Sequence, residues 1–178
     1  MDYALWGVGE AQAHQDALWS VYEVVCAQHR DQMVWHESML GKHMRRARFR
    51  LAVALDDDDR IVAFSWGYTG YRGQWWSDRV AEVLGPVEGD HWVGGHFELV
   101  EIAVPDQGER QVIVKRLHDR LLRGLAEPRA LISVDDDDLL VRDLLERRGW
   151  HSIGALTRGW TIYGVLLREG AQASGALF

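Results

Sequence analysis

The sequence predicts a mixed α/β (α+β) fold built on a twisted, mixed sheet of about six to seven strands with helices on both faces. Three observations predict it. A strand, a helix and a second strand follow one another in the middle of the chain, which implies a parallel pair joined by a right-handed crossover. Pairs of alternating apolar segments lie on either side of this unit and imply antiparallel edges. With 178 residues, the chain has the length of one ordinary domain.

The first half of the chain contains a predicted strand, two predicted helices and a predicted hairpin. Apolar residues recur at helical spacing in the helices, and Asp31 is a suitable N-cap for the second of them. Alternating apolar residues on either side of four consecutive aspartates predict the hairpin, with the aspartates in its turn. In order, the predicted bounds are 3–8 for the strand, 11–30 and 31–40 for the helices, and 49–55 and 61–66 for the hairpin strands.

The second half alternates helices and strands that are bounded by turn-forming residues. Gly85 and Pro86 end a short helix, Pro105 stops a strongly apolar strand, and Asp138 is a suitable N-cap for the last helix. In order, the predicted bounds are 75–84 for a helix, 97–104 for a strand, 111–125 for a helix, 130–134 for a strand, 139–148 for a helix, and 150–156 and 160–167 for a final strand pair.

The chain is expected to form a single domain over residues 1–168. No internal repeat or linker-like stretch interrupts this range. Residues 169–178 are rich in Gly, Ala and Ser and are predicted to be a loose C-terminal tail.

The charge balance and the apolar pattern exclude several classes of protein. Twenty basic and 27 acidic residues give a formal net charge of −7, which argues against a nucleic-acid or anionic-membrane partner because such binders need a basic surface. A single cysteine excludes a disulfide scaffold and a zinc site made of four cysteines. The sequence starts without a basic segment followed by an apolar core, and no apolar run approaches about 18 residues. We therefore expect a cytoplasmic protein with no membrane partner.

Two runs of four aspartates concentrate oxygen ligands at 56–59 and 135–138. Neither run has the spaced ligands and the glycine of a calcium-binding loop. We expect a solvated turn and a helix-capping loop there, and no metal site.

Four short segments together resemble the Gcn5-related N-acetyltransferase (GNAT) superfamily. They read GQWWSDRV at 73–80, FELVEIAV at 97–104, KRLHD at 115–119 and RRGW at 147–150. The resemblance covers roughly residues 48–167, and the segments before it fit in order only. It implies a GNAT-like fold and an N-acetyltransferase that uses acetyl-CoA or another acyl-CoA to acylate a small amine.

The resemblance also implies where the coenzyme would bind. In this family, backbone N–H groups of the loop after the central strand and of the next helix hold the pyrophosphate, and the strand pairs with the pantetheine amides. Carried over to this sequence, the cofactor-binding residues are the following: Ile102, Val104, Arg110, Gln111, Val112, Val114 and Lys115.

The loop departs from the family pattern at the positions where the coenzyme phosphates would bind. The family places an Arg or Gln and then glycines at alternating positions, but here Glu109 takes the first place and Arg110, Val112 and Val114 take the glycine places. Side chains at these positions crowd the backbone approach and predict weakened or altered coenzyme binding.

Three further observations qualify this departure. A frame two residues earlier aligns Gln107 and Gly108 with the Arg-Gly pair but still leaves side chains at later glycine positions. The Tyr that often protonates the leaving thiolate is replaced by Leu145. The cations Arg110, Lys115 and Arg116 either pair directly with phosphate in place of the lost backbone contacts or form an exposed basic helix face.

Glu98, Glu101 and His96 are the candidate catalytic residues. The two glutamates lie three apart on one strand and are therefore expected to face opposite sides of the sheet. One of them is a candidate base for the amine, directly or through water, and the alternative is an ion-paired or buried structural carboxyl. His96 lies in a glycine-rich loop and is a candidate proton carrier.

Aromatic residues are concentrated between the hairpin and the central strand. They form either the wall of a pocket for an apolar or cationic ligand, or the core packing of an inserted helix. The candidate pocket residues are Trp66, Tyr68, Tyr71, Trp75, Trp76 and Trp92.

The sequence leaves three functions open. The first is acyl-CoA-dependent N-acetylation of a small amine with weakened coenzyme binding. The second is a non-catalytic GNAT-like module that binds a small aromatic or cationic ligand or a partner protein. The third is a GNAT-scaffold enzyme with chemistry that does not use coenzyme A. The expected partner is a small-molecule amine or an aromatic or cationic ligand, and a homodimer is left open.

Overall fold

Seven strands form one mixed sheet at the centre of the molecule, with the order β1-β2-β3-β4-β5-β7-β6. The computed structural model describes residues 1–26, 31–106 and 108–167, so the predicted tail at 169–178 and the loop residue Gln107 lie outside the described residues. The strands are β1 (Asp2–Trp6), β2 (Arg50–Leu55), β3 (Ile61–Gly70), β4 (His96–Ala103), β5 (Arg129–Asp135), β6 (His151–Thr157) and β7 (Trp160–Leu166).

The helices follow the predicted order, but the first predicted helix is divided at His14 and the second contains a π-helical segment and continues to Met44. They are α1 (Val8–Ala13), α2 (Gln15–Val25), α3 (Gln32–Val34), a π-helical segment (Trp35–Leu40), α4 (Gly41–Met44), α5 (Trp75–Trp92), α6 (Arg110–Leu122) and α7 (Leu139–Arg147). No helix within the described ranges combines the length and the apolar content of a membrane span.

The sheet is antiparallel except at its centre, where β4 and β5 run parallel and α6 connects them. The predicted mixed sheet, with a strand–helix–strand crossover at its middle and hairpins at its edges, is therefore confirmed.

Helices cover both faces of the sheet and divide the core into three clusters. On one face, α6 and α7 pack on the sheet through residues such as Val114, Leu117 and Leu145. On the other face, α2 and the π-helical segment cover the half that contains β2 and β3. The same face of β5 and β7 is covered by α5, which packs around Leu131 and Ile162.

A β-bulge interrupts β4. Trp66 of β3 pairs with Glu101, whereas the next residue, Gly67, pairs with Leu99, so Val100 is the extra residue on β4. A bulge bends its strand and changes the direction of the following residues. On the other side of β4, the parallel pairing with β5 covers only the first part of each strand.

Two elements extend beyond their predicted ends. Gly85 adopts φ 77°, which kinks α5, and the helix then resumes to Trp92. Pro86 does not end the helix because proline is compatible with the first turn of a new helical segment, where its missing N–H is not needed. β3 continues to Gly70 because β4 pairs with it along this length.

A buried hydrogen-bond chain ties α6 to the end of α7. The Trp150 indole N–H donates to His118 Nε2 over 3.1 Å, and His118 Nδ1 then donates to Asp119 over 3.2 Å. Burial lowers the pKa of His118, which keeps the imidazole neutral and able to accept at Nε2. Arg148 also binds Asp119, so the chain ends on a compensated carboxylate.

We predict that His118→Leu destabilises the fold, because it leaves the buried Trp150 N–H without an acceptor. The expected loss is about 1–3 kcal/mol in the free energy of unfolding. Urea denaturation near neutral pH measures this change. Lys115→Ala is the matched control, since Lys115 is an exposed partner of the same Asp119 carboxylate and should cost less than about 1 kcal/mol. Equal losses in the two variants would contradict the assignment.

Candidate functional site

A cleft opens between β4 and β5 where the two strands separate. They pair only at Phe97 with Ala130 and at Glu98 with Leu131, and then diverge. The resulting cleft has a volume of about 190 Å³ and is bordered by both strands. Along it, β4 contributes Val100, Glu101 and Ile102, and β5 contributes Ile132, Ser133 and Val134. Because the diverging edges do not pair with each other, their backbone groups are available to an extended ligand.

The bulge at Val100 brings the two candidate glutamates to the same face of the sheet. Glu98 pairs with Tyr68 and Glu101 pairs with Trp66, and both aromatic residues belong to the cluster under α2. Paired residues on neighbouring strands share a face. The prediction that the glutamates face opposite sides is therefore wrong, because the extra residue shifts the alternation by one position.

Glu98 is a buried carboxyl with one strong hydrogen bond. Its Oε1 atom accepts a hydrogen bond from the Tyr68 hydroxyl over 2.7 Å, and the residue is 4% exposed. Burial raises the pKa of Glu98 to about 7, while the Tyr68 hydroxyl and Arg46 act in the opposite direction. A carboxyl with such a pKa exchanges a proton near neutral pH.

His96 is fully buried at the start of β4. The backbone N–H of Gly94 donates to its Nδ1 over 3.1 Å, which assigns the proton of the neutral ring to Nε2. Burial, aided by Arg129, lowers the pKa of His96 to about 4. The ring is therefore neutral at physiological pH and offers an N–H donor at Nε2.

His96 and Glu98 both lie against Gly70 at the end of β3. A Cβ atom at Gly70 would be 2.4 Å from His96 Nε2 and 3.2 Å from Glu98 Oε2. Among the described residues, these two atoms and the Ser77 hydroxyl have no hydrogen-bond partner. Buried polar atoms without partners indicate a place for water or for a polar group of a ligand.

Two residues of this region were not found by sequence analysis. His43 Nδ1 accepts the Trp66 indole N–H over 3.2 Å, and its ring lies 5.1 Å from the Tyr68 ring. Burial lowers the pKa of His43 to about 4. Arg46 acts on the charge of Glu98 from the same segment. No local signal marks these residues, because only tertiary packing brings the end of α4 to β3.

The six predicted pocket aromatics do not form one group. Two lie in the cluster under α2 and two pack in the cluster under α5, while two are largely exposed. These pairs are Trp66 and Tyr68, Trp76 and Trp92, and Tyr71 and Trp75, respectively. They are separated because those on β3 point to the cluster under α2, whereas those on α5 are distributed around that helix. Of the six, Tyr68 contacts Glu98, and Trp76 reaches the cleft by donating to Ser133 over 3.3 Å.

The residues carried over for coenzyme binding occupy different environments. Ile102 borders the cleft, whereas Val104 and Val114 are buried in the core under α6. Val112 is 47% exposed, and Gln111 is also exposed. The two valines at glycine positions therefore differ, since Val114 packs in the core and Val112 is exposed at the surface.

An ion pair spans the first turns of α6 and α7 beside the cleft. Arg110 donates to Asp138 Oδ2 over 3.1 Å. Asp138 Oδ1 accepts the Val141 N–H, also over 3.1 Å, and so caps α7 as predicted. Asp138 borders the cleft, so the pair stands at its mouth.

The described part of the chain contains no group of three or more His, Cys, Asp or Glu residues placed to hold a metal ion. A buried carboxyl and a buried neutral imidazole lie beside the closed end of the cleft between the two strands. Such groups can exchange protons and form hydrogen bonds.

Comparison with known proteins identifies this architecture. No protein-family model matches the sequence, and no curated protein matches it. Among solved structures, the chain is similar to aminoglycoside 6'-acetyltransferase type Ii, with a TM-score of 0.66, 14% identity, and coverage of 93% of this chain and 97% of that one.

Two further solved structures agree in fold. A GNAT-family acetyltransferase from Bacillus cereus has a TM-score of 0.61 and 12% identity, covering 94% of this chain and 98% of its own. A ribosomal-protein-alanine N-acetyltransferase from Brucella melitensis has the same TM-score and identity, covering 94% and 100%. The chain therefore has the Gcn5-related N-acetyltransferase fold that the sequence motifs resemble.

Proposed function

We propose that this chain is an N-acyltransferase that takes its acyl group from acetyl-CoA or another acyl-CoA and delivers it to a small amine. The observation that carries the proposal is the cleft between β4 and β5, which opens beside the bulge at Val100 and has Glu98 and Glu101 on one face. The similar structures bear names of acetyltransferases, which supports the same general chemistry here.

The residues of the cleft fit the pantetheine arm of the coenzyme. Val100, Ile102, Ile132 and Val134 give apolar walls, and the unpaired backbone edges offer hydrogen bonds to amide groups. At the phosphate end, the cation Arg110 is held by Asp138, which borders the cleft. Acyl-CoA, when bound, would supply an activated acyl thioester.

Glu98 is the base in this proposal. An amine must lose a proton to become a nucleophile, and a carboxyl with a pKa near 7 accepts that proton at neutral pH. Tyr68 is a positioning residue, since its hydroxyl fixes Oε1 and leaves Oε2 to face the proton donor. His96, with a neutral ring, presents a second hydrogen-bonding atom beside the same glycine.

The α7 position that carries a Tyr in the family offers no acid here. Leu145 is fully buried in the core under α6 and α7. Its side chain has neither a titratable group nor access to the cleft. In this proposal, the proton for the leaving thiol therefore comes from water.

A second function is favoured by the ion pair at the mouth. Arg110 and Asp138 satisfy each other where a coenzyme phosphate would need a free cation, which suits a binding module that does not use acyl-CoA. Thermal-shift measurements with acetyl-CoA and with a panel of small amines separate the two functions. Stabilisation by acetyl-CoA supports acyl transfer, whereas stabilisation only by an amine supports the binding module.

We predict that Glu98→Gln lowers kcat/KM for acyl transfer by about 10²- to 10⁴-fold, because an amide cannot accept the amine proton. Release of free thiol from acetyl-CoA in the presence of the amine panel measures the rate. The wild-type profile of kcat/KM against pH should rise with an apparent pKa of about 7, and this limb should vanish in the variant. Glu88→Gln, at an exposed position of α5, is the control. A variant that keeps the wild-type rate and limb would exclude Glu98 as the base.

We predict that Tyr68→Phe moves the same limb to higher pH. The lost hydroxyl stabilised the charged carboxylate, so its removal raises the pKa of Glu98 further. The pH dependence of kcat/KM measures the shift. A purely structural role for Tyr68 would instead lower the rate equally at all pH values, and that outcome would count against the positioning role.

We predict that Asp138→Asn tightens acetyl-CoA binding, because it removes a negative charge from the mouth and frees Arg110 for phosphate. Asparagine is also a good N-cap, so α7 should stay intact. The expected decrease in Kd is about three- to ten-fold, measured by calorimetry at low salt. Arg110→Ala is the partner variant and should weaken binding. An unchanged or larger Kd in Asp138→Asn would show that the ion pair does not oppose the coenzyme.

A further inference from the structure

The outer face of α6 is strongly basic in an otherwise acidic protein. From Arg110 to Arg123 the chain has five basic and one acidic residue, whereas its overall net charge is −7. Four of these cations lie along the exposed side of the helix. We call them the α6 basic stripe: Lys115, Arg116, Arg120 and Arg123.

Most of the positive charge of the α6 basic stripe is not neutralised by an ion pair among the described residues, although Lys115 lies 3.7 Å from Asp119. No acidic side chain among the described residues lies within ion-pair distance of Arg116 or Arg123. Arg120 donates to the backbone carbonyl of Tyr3, which leaves its charge uncompensated. The one acidic residue of the helix, Asp119, already binds Arg148.

The stripe lies on the helix whose first residue stands at the mouth of the proposed acyl-donor cleft. Arg110 at the start of α6 stands at the cleft mouth, and Arg123 follows about 20 Å further along the helix. Val112, which is 47% exposed, lies between the mouth and the first cation of the stripe. A groove of about 270 Å³ lies between α6 and β1, where three arginines of the stripe border it together with Asp2 and Asp119.

The mouth itself is poorly suited to a pair of adjacent phosphates. Its cation, Arg110, is paired with Asp138, and Glu109 is the residue before the helix. A phosphopantetheine arm attached to a protein brings the same thioester and amides with a single phosphodiester. Such an arm requires less positive charge at the mouth, and the attached protein supplies the remaining contacts.

We propose that the α6 basic stripe is the docking surface for an acidic carrier protein, which delivers the acyl group on a phosphopantetheine arm into the cleft between β4 and β5. The inference rests on the proposed acyl transfer and specifies its donor. Charge complementarity carries it, since the stripe extends over about 12 Å and holds three cations without an ion-pair partner among the described residues, more than one small-molecule phosphate group would use. The acidic partner contacts the stripe, and Val112 packs against the base of the arm.

The experiment compares two donors that carry the same acyl group. Acetylated bacterial acyl carrier protein and acetyl-CoA are supplied at equal concentrations to the full chain with the amine panel. We expect a higher kcat/KM with the carrier protein at low salt, falling as ionic strength rises.

The double variant Arg120→Glu/Arg123→Glu tests the surface. Neither residue forms an ion pair in the fold, so the variant should remain folded. We expect at least about a ten-fold loss of kcat/KM with the carrier protein and less than about a three-fold change with acetyl-CoA. Arg79→Glu on α5, on the opposite face of the sheet, is the matched charge-reversal control and should change neither rate.

Three results would overturn the carrier-protein inference while leaving acyl transfer intact. They are transfer from acetyl-CoA alone, equal losses with both donors in the double variant, and a carrier-protein rate that does not depend on salt. If neither donor supports transfer, the proposed function fails. The docking surface is then tested separately, by measuring whether the carrier protein binds to the chain. Calorimetry at low salt with the phosphopantetheine-bearing carrier should then show binding that the double variant loses, and no binding would overturn the inference as well.

Discussion

The separation of β4 from β5 is the constraint on which the rest of the site depends. Parallel pairing stops at Glu98 and Leu131, and the extra residue Val100 on the other edge of β4 bends the strand where the pairing ends. A gap between two central strands leaves backbone donors and acceptors without partners, which is costly unless water or a ligand satisfies them. The fold therefore holds open a slot whose edges require hydrogen bonds.

The bulge also determines on which face of the sheet the two glutamates lie. Because the alternation shifts at Val100, Glu98 and Glu101 face the helical layer that contains α2 and α5, and the opposite face packs on α6 and α7. Glu98 lies deep in that layer, beside the neutral imidazole of His96. Burial raises the pKa of the carboxyl and lowers that of the imidazole, so both groups favour their uncharged forms in the same low-dielectric environment.

Much of the fold could be predicted from the sequence, but the geometry of the site could not. Apolar periodicity and turn residues locate most strands and helices, and the strand–helix–strand order implies the parallel pair at the centre. The bulge at Val100 has no local signature, because it depends on how β4 registers against β3. His43 joins Trp66 and Tyr68 only through tertiary packing. The exposure of the individual α6 side chains could not be read from the glycine pattern either, because helix rotation directs Val114 into the core and Val112 to solvent.

Asp138 shows how the cleft mouth can change without disturbing the fold. Its two oxygens act separately, since Oδ1 caps α7 through the Val141 N–H and Oδ2 holds Arg110. An anion that draws Arg110 away therefore breaks one contact and leaves the cap in place. Both partners are partly exposed, so water replaces the lost contact at small cost, and the ion pair contributes little to stability. Competition for Arg110 at the mouth is consequently decided by the charge of the incoming group rather than by the stability of α7.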